Sequence, residues 1–258
     1  HGTRLDTFQE GAGMLQAAVT RDPGFADALA ALSDAHFLAF LLMISPPREA
    51  LAASRRHAEA ALAVDQDLSW AHACLARVSA ALDSDFAAAE AGFARALASD
   101  PMSAPARWAR AVWLLAPLGR LDEAQAEMEA LLDQDPYSLQ IRIDYARILG
   151  YRRRFDEAIR HLELILEFEP NFPTARWALA FLYERIGRLD LARPAHEAHV
   201  RQIPHPLVAD WYEAACAGWA GDQERARTIV ERMDLTAQAA PRSAGVVANA
   251  WIRLGETD

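Results

Sequence analysis

Three stretches of the chain say nearly the same thing: Gly119-Arg-Leu-Asp-Glu-Ala124, Arg154-Phe-Asp-Glu-Ala158 and Gly187-Arg-Leu-Asp-Leu-Ala192. Each is followed about a dozen residues later by proline, as Asp135-Pro136, Glu169-Pro170 and Ile203-Pro204, and these prolines are 34 residues apart. Self-similarity at that period marks stacked helix–turn–helix units, because no single unit can bury its own apolar face. Working outward, Asp85-Phe-Ala-Ala-Ala89 leads to Asp100-Pro101, 35 residues before Pro136. Further upstream, Val64-Asp65-Gln66 occupies the same place, and Asp22-Pro23 opens the series, followed by a unit with roughly nine extra residues around His36 to Pro47. Downstream, Gly221-Asp-Gln-Glu-Arg-Ala226 and Gly255-Glu-Thr-Asp258 repeat the turn.

Everything between the turns reads as helix. Apolar residues recur at three- and four-residue spacing, as in Leu162, Ile165, Leu166 and Ala178, Phe181, Leu182, and no stretch alternates with the period of a half-buried strand. Proline after an acidic residue fits one helix handing over to the next, and glycine at 119, 187 and 221 fits a left-handed closing residue. The expectation is an all-α solenoid of about fourteen helices forming a single array over 1–258. Its parts are a partial repeat at 1–25, an extended repeat at 26–68, regular repeats at 69–103, 104–138, 139–172, 173–206 and 207–240, and a closing helix at 241–258.

The bulk composition narrows the partners. With a formal net charge of −10 and a pI near 5.3, the chain lacks the basic face that nucleic acid or an anionic membrane surface demands. Cys74 and Cys216 lie far apart within helical patterns and read as buried thiols. The longest apolar run, Phe37 to Ile44, is too short to span a bilayer. It is expected to extend a first helix and either to pack over the following unit or to offer its exposed tip as an interaction surface. No secretory leader is read at the N-terminus, and a cytoplasmic location is expected.

On these residues the chain resembles the tetratricopeptide-repeat (TPR) proteins over essentially its whole length. The family pattern is carried by Leu179-Ala180…Tyr183…Gly187…Ala192…His196…Pro204 and by Trp108…Val112…Leu115…Gly119…Ala124…Met128…Pro136. The resemblance implies a right-handed superhelix of antiparallel helix pairs. Ala124, Ala158, Ala192 and Ala226 would then sit where the helices of a pair meet most closely. A narrower resemblance, carried by Asp22-Pro-Gly-Phe-Ala-Asp-Ala-Leu29, Ser33-Asp-Ala-His36, Pro46-Pro-Arg-Glu-Ala50 and Ala58-Glu-Ala-Ala-Leu62, is to the TPR regions of bacterial multidomain regulators. In those, the repeats follow a winged-helix, adenylate-cyclase or protein-kinase domain. It implies an effector domain outside this sequence, with which the opening at His1 in mid-unit agrees.

In TPR superhelices the first helix of each unit lines the concave binding wall. Carried over residue by residue, that wall takes in Trp113, Arg147, Tyr151, Trp177, Phe181, Glu184, Arg185, Trp211 and Trp219, with Asp27 and Asp34 upstream. A protein or peptide partner gripped by aromatic anchors is expected, with Arg147, Arg185 and Glu184 fixing its orientation; the alternative is that several of these rings plug gaps between neighbouring helices. The lysine and asparagine clamp of chaperone-binding TPR domains is missing: Ala30, Asp34, Cys74, Val78, Ala109 and Trp113 stand at its positions. His196-Glu-Ala-His199 has three-residue spacing rather than the four of a metalloprotease helix, so core histidine is the reading. Arg152-Arg153-Arg154 reads as a solvated turn, with contact to an anion or acidic peptide as the alternative. No nucleophile–base pair, phosphate loop or carboxylate pair stands out, so no catalytic, cofactor or metal residue is expected and the chain is read as non-enzymatic. The competing readings are a substrate-recruiting region of an enzyme and an oligomerisation scaffold.

Overall fold

The computed structural model describes residues 4–41, 44–202 and 206–239. They form an all-α chain of thirteen α-helices, with no strand among them. The expected closing helix at 241–258, the turn at Gly255, and Pro204 and His205 lie outside the described residues. Contacts group the chain into two compact units, His1–Pro136 and Tyr137–Asp258.

The first unit holds α1 (Arg4–Arg21), α2 (Ala26–Leu41), α3 (Pro47–Val64), α4 (Ser69–Asp83), α5 (Phe86–Ser99), α6 (Ala104–Arg110) and α7 (Leu121–Gln134). After α1 come three antiparallel pairs, α2/α3, α4/α5 and α6/α7. The second unit holds three more: α8 (Leu139–Tyr151) with α9 (Phe155–Phe168), α10 (Pro173–Arg185) with α11 (Leu189–Gln202), and α12 (Pro206–Trp219) with α13 (Gln223–Ala239).

The repeated sequence has a mechanical job within each pair. At the end of the first helix one residue turns left-handed: Gly119 (φ 72°), Arg153 (φ 63°), Gly187 (φ 76°) and Gly221 (φ 80°). The next residue then donates its N–H five residues back, Arg120 to Leu115, Arg154 to Leu149, Arg188 to Tyr183 and Asp222 to Ala217, at 2.8–2.9 Å. These bonds satisfy carbonyls that the helix end would otherwise orphan. The arginine of the motif forks onto the carboxylate that follows: Arg120 on Glu123, Arg154 on Glu157, Arg188 on Asp190. The acidic residue before proline, or before Gln66 in the second copy, closes the other turn. Asp22, Asp65 and Asp100 each accept the N–H two residues on through Oδ1, at 3.0–3.1 Å. These motif carboxylates are thereby engaged in turn chemistry.

Ala124, Ala158, Ala192 and Ala226 are all fully buried, as close helix packing requires. Gly92 of α5 goes further, since a Cβ there would sit 2.8 Å from the Cβ of Ala76 on α4. Phe37 at the extended end of α2 is buried, while Leu38 and Leu41 remain exposed.

One pair departs from the regular geometry. After α6 the helix continues through a π-helical segment, Ala111–Leu115, in which the Ala116 N–H bonds to the Ala111 carbonyl at 3.0 Å. The 35-residue spacing from Pro101 to Pro136 leaves one residue beyond the 34 of the regular copies, and a π turn absorbs one extra residue without breaking the helix.

Candidate functional site

In the first unit, the first helices of three successive pairs surround a small cavity of about 40 Å³. Asp34 comes from α2, Trp70, Ala73, Cys74 and Arg77 from α4, and Pro105, Trp108 and Ala109 from α6. Asp34 is its hub. The Trp70 indole Nε1–H donates to Oδ2 at 3.0 Å, and the Arg77 guanidinium donates to Oδ1. Arg77 lies over the Phe37 ring, 3.9 Å from its centroid, a cation–π contact. The two ends of the ion pair differ in exposure: the Arg77 side chain is 6% exposed and the Asp34 side chain 37%. Solvent therefore meets the carboxylate while the guanidinium is sealed beneath it, its Nε buried without a hydrogen-bond partner. The Cys74 thiol, 3.9 Å from Asp34 Oδ1, is pushed up to about 12 by burial and stays protonated at neutral pH.

In the second unit, α8 carries the inverse arrangement. Arg147 donates to Asp144 Oδ1 at 2.9 Å and Gln140 to Oδ2 at 2.8 Å. Here the carboxylate is the sealed member, at 3% exposure, and the arginine the open one, at 44%. Tyr151, one turn on, is 56% exposed, and Arg185 at the end of α10 is exposed too.

Beyond α8 the second unit gathers aromatic rings. Trp177 meets Phe181 edge-on at 4.7 Å, and Phe181 meets Trp211 at 5.4 Å. His196, fully buried on α11, sits among Phe181, Trp211, Tyr212 and Trp219 at 4.9–6.0 Å. Its Nε2 is 2.7 Å from Glu184 Oε1, whose side chain is only 11% exposed. His199 points its Nδ1 at the Pro173 carbonyl, 3.3 Å away, and burial lowers its pKa. The two histidines thus hold different partners. Among the described residues no group of three His, Cys, Asp or Glu side chains is placed to hold a metal.

The residues read from sequence as an inner wall divide into two kinds. Arg147, Tyr151, Arg185, Trp177, Phe181 and Trp219 are at least half-exposed or partly exposed on first helices. Trp211 is 4% exposed and Glu184 is tied to His196, so both serve packing between helices instead of facing out. Trp113 is half-buried, stacking edge-on against Phe37 at 4.9 Å with its indole N–H buried and unbonded. Asp27 is exposed on α2.

Sequence reasoning missed the pairing of Asp34 with Arg77 and the convergence of Trp70 and Trp108 on it. The available signal was modest: Asp34 lies two turns after Asp27 on the same helix face.

No family model matches the chain, and no curated protein matches it. Solved structures do. A tetratricopeptide-repeat protein from Parabacteroides merdae is similar with a TM-score of 0.66 and 15% identity, covering 96% of this chain and 92% of that one. PilF of Pseudomonas aeruginosa is similar with a TM-score of 0.56 and 18% identity, covering 86% and 96%. A monomeric IFIT1 mutant bound to m7Gppp-AAAA is similar with a TM-score of 0.75 and 14% identity, covering 96% of this chain and 59% of that one. The fold is therefore the α-solenoid of helix pairs that tetratricopeptide-repeat proteins share. At these identities the likeness speaks to fold alone.

Proposed function

We propose that this chain is a protein-interaction scaffold that binds a segment of a partner along the first helices of its pairs. The observation that carries this reading is the state of the side chains there. Tyr151, Arg147, Trp177 and Phe181 stand partly exposed on α8 and α10 of the second unit. Leaving aromatic rings in water gains the fold nothing, whereas such rings beside arginine are the residues that anchor interfaces. The recurring carboxylates of the turn motifs are engaged in turns and ion pairs, which favours binding over catalysis as the mode of action. The stretches Asp22–Leu29 and Pro46–Ala50 support the further reading that the array serves a bacterial signalling regulator acting in the cytoplasm.

The test is selection of a displayed random-peptide library on the immobilised full chain. Peptides should be enriched, and their binding to the Tyr151→Ala/Arg185→Ala double variant should fall about tenfold or more, as loss of interface anchors does. Both positions are exposed, so the unfolding midpoint should stay put. A library that yields no enriched peptide, or peptides indifferent to both this variant and Trp108→Leu, would refute the proposal.

A further inference from the structure

The cavity between α2, α4 and α6 has a specific chemistry, and resting on the scaffold reading above, we propose that it receives the ammonium group of a lysine side chain supplied by a partner protein. Three features argue for this. The Asp34–Arg77 pair is turned so that the carboxylate is what an incoming group meets, with Arg77 sealed at 6% exposure beneath it. Asp34 already takes the Trp70 N–H, the Arg77 guanidinium and the weak donor of the Cys74 thiol, yet an ionised carboxylate has about four acceptor positions, so one remains for a further N–H donor. The indoles of Trp70 and Trp108 line the same space, and tryptophan is the aromatic ring best suited to holding a cation.

Donor geometry and field select among cations. The space, about 40 Å³ and open to solvent on one side, exceeds the ~10–15 Å³ that one water needs, so it has room for an incoming head group. An ammonium is a compact point donor that one free lone pair satisfies, whereas the planar fork of an arginine is best met by two parallel acceptors, and both oxygens of Asp34 are already engaged by Trp70 and Arg77. The first unit carries ten arginines against nineteen carboxylates, while the second carries sixteen against seventeen. A cationic segment is thus drawn to the first unit. The donor must come from elsewhere, because all 26 basic residues of this sequence are arginines and it contains no lysine.

The experiment uses peptides enriched from the random library on the full chain. Lysine should recur at one peptide position. Acetylating that lysine, which removes the charge and leaves the protein untouched, should weaken binding about tenfold or more, the scale of a lost charge-assisted hydrogen bond. Replacing it by arginine should weaken binding as well. Asp34→Asn should abolish the preference for lysine, and Trp108→Leu, at the wall, should reduce it. Enriched peptides whose binding survives acetylation overturn the lysine site and leave the scaffold reading standing. Lysine dependence that persists unchanged in Trp108→Leu and in folded Asp34→Asn overturns its assignment to this cavity. A library with nothing enriched overturns both.

Discussion

The two units solve the same problem with opposite polarity. In the first, Asp34 faces solvent and Arg77 is sealed; in the second, Arg147 faces solvent and Asp144 is sealed. Both pairs sit on first helices, so one fold position is used to present a carboxylate in one unit and a guanidinium in the other. A buried charge is costly unless paired. The buried member therefore dictates that an opposite charge stand over it, and the outward member becomes the feature available for recognition. The units also differ in how tightly helices meet: glycine on α5 in the first lets backbone approach backbone, whereas glycine on α8 in the second faces only a flexible leucine tip.

The largest effect should come from stranding a buried charge. Asp34→Ala leaves Arg77 sealed without its counter-ion and should cost about 2–3 kcal/mol. Arg147→Ala leaves Asp144 with Gln140 still donating and should cost less, on the order of 1–2 kcal/mol. Urea denaturation read by circular dichroism measures both. Equal costs would mean that burial of the inner partner does not govern the pair.

Packing gives the next comparison. Gly92→Ala drives a methyl to within 2.8 Å of the Ala76 Cβ and 3.3 Å of its Cα, and should destabilise by about 1–3 kcal/mol despite the better helix propensity of alanine. Gly150→Ala meets only Leu182 Cδ2, at 2.9 Å, which a rotamer change relieves. It should fall within about 0.5 kcal/mol of the parent, strain and propensity offsetting each other. If both variants melt alike, the difference in helix approach is not real.

Turn chemistry is smaller. Arg153 holds a left-handed conformation that Gly119 and Gly187 adopt freely. Arg153→Gly should therefore stabilise the second unit by up to about 1 kcal/mol, the steric gain set against the looser unfolded chain. A loss of stability would show that the Arg153 side chain contributes more than its backbone costs.

The smallest expected difference is in pH response. Burial lowers the pKa of His199, and burial with Arg142 and Arg160 nearby lowers that of His161, both in the second unit; His36 is the lowered histidine of the first. A histidine whose folded pKa lies below its unfolded value of about 6.5 adds stability above that pH and loses it as pH falls through the folded pKa. Amide exchange between pH 7 and 5.5 should show the second unit loosening more than the first. His199→Gln should flatten that response, and an unchanged slope would exclude this histidine as its source.

The fold was legible because the turn motif repeats with its mechanics intact. Glycine for the left-handed residue, arginine for the following carboxylate and alanine for the close approach each depend on local chain geometry, which a period of 34 residues makes visible. The candidate site was less so. Trp211 and Glu184 were read as outward because helical phase gives the side facing a neighbouring pair and the side facing solvent nearly the same angle. Arg77 was missed because its meaning lies in a contact with Asp34, 43 residues away, that only packing creates.

The central claim, that recognition occurs on the first helices, is tested most directly by site-specific photocrosslinking. A benzophenone amino acid at Tyr151 on α8, 56% exposed, is compared with the same group at Phe168 on α9, 69% exposed. With a library-selected peptide bound to the full chain, capture at position 151 and none at the more exposed position 168 is the predicted result. Capture at 168 with none at 151 would place recognition on the second helices and contradict the account.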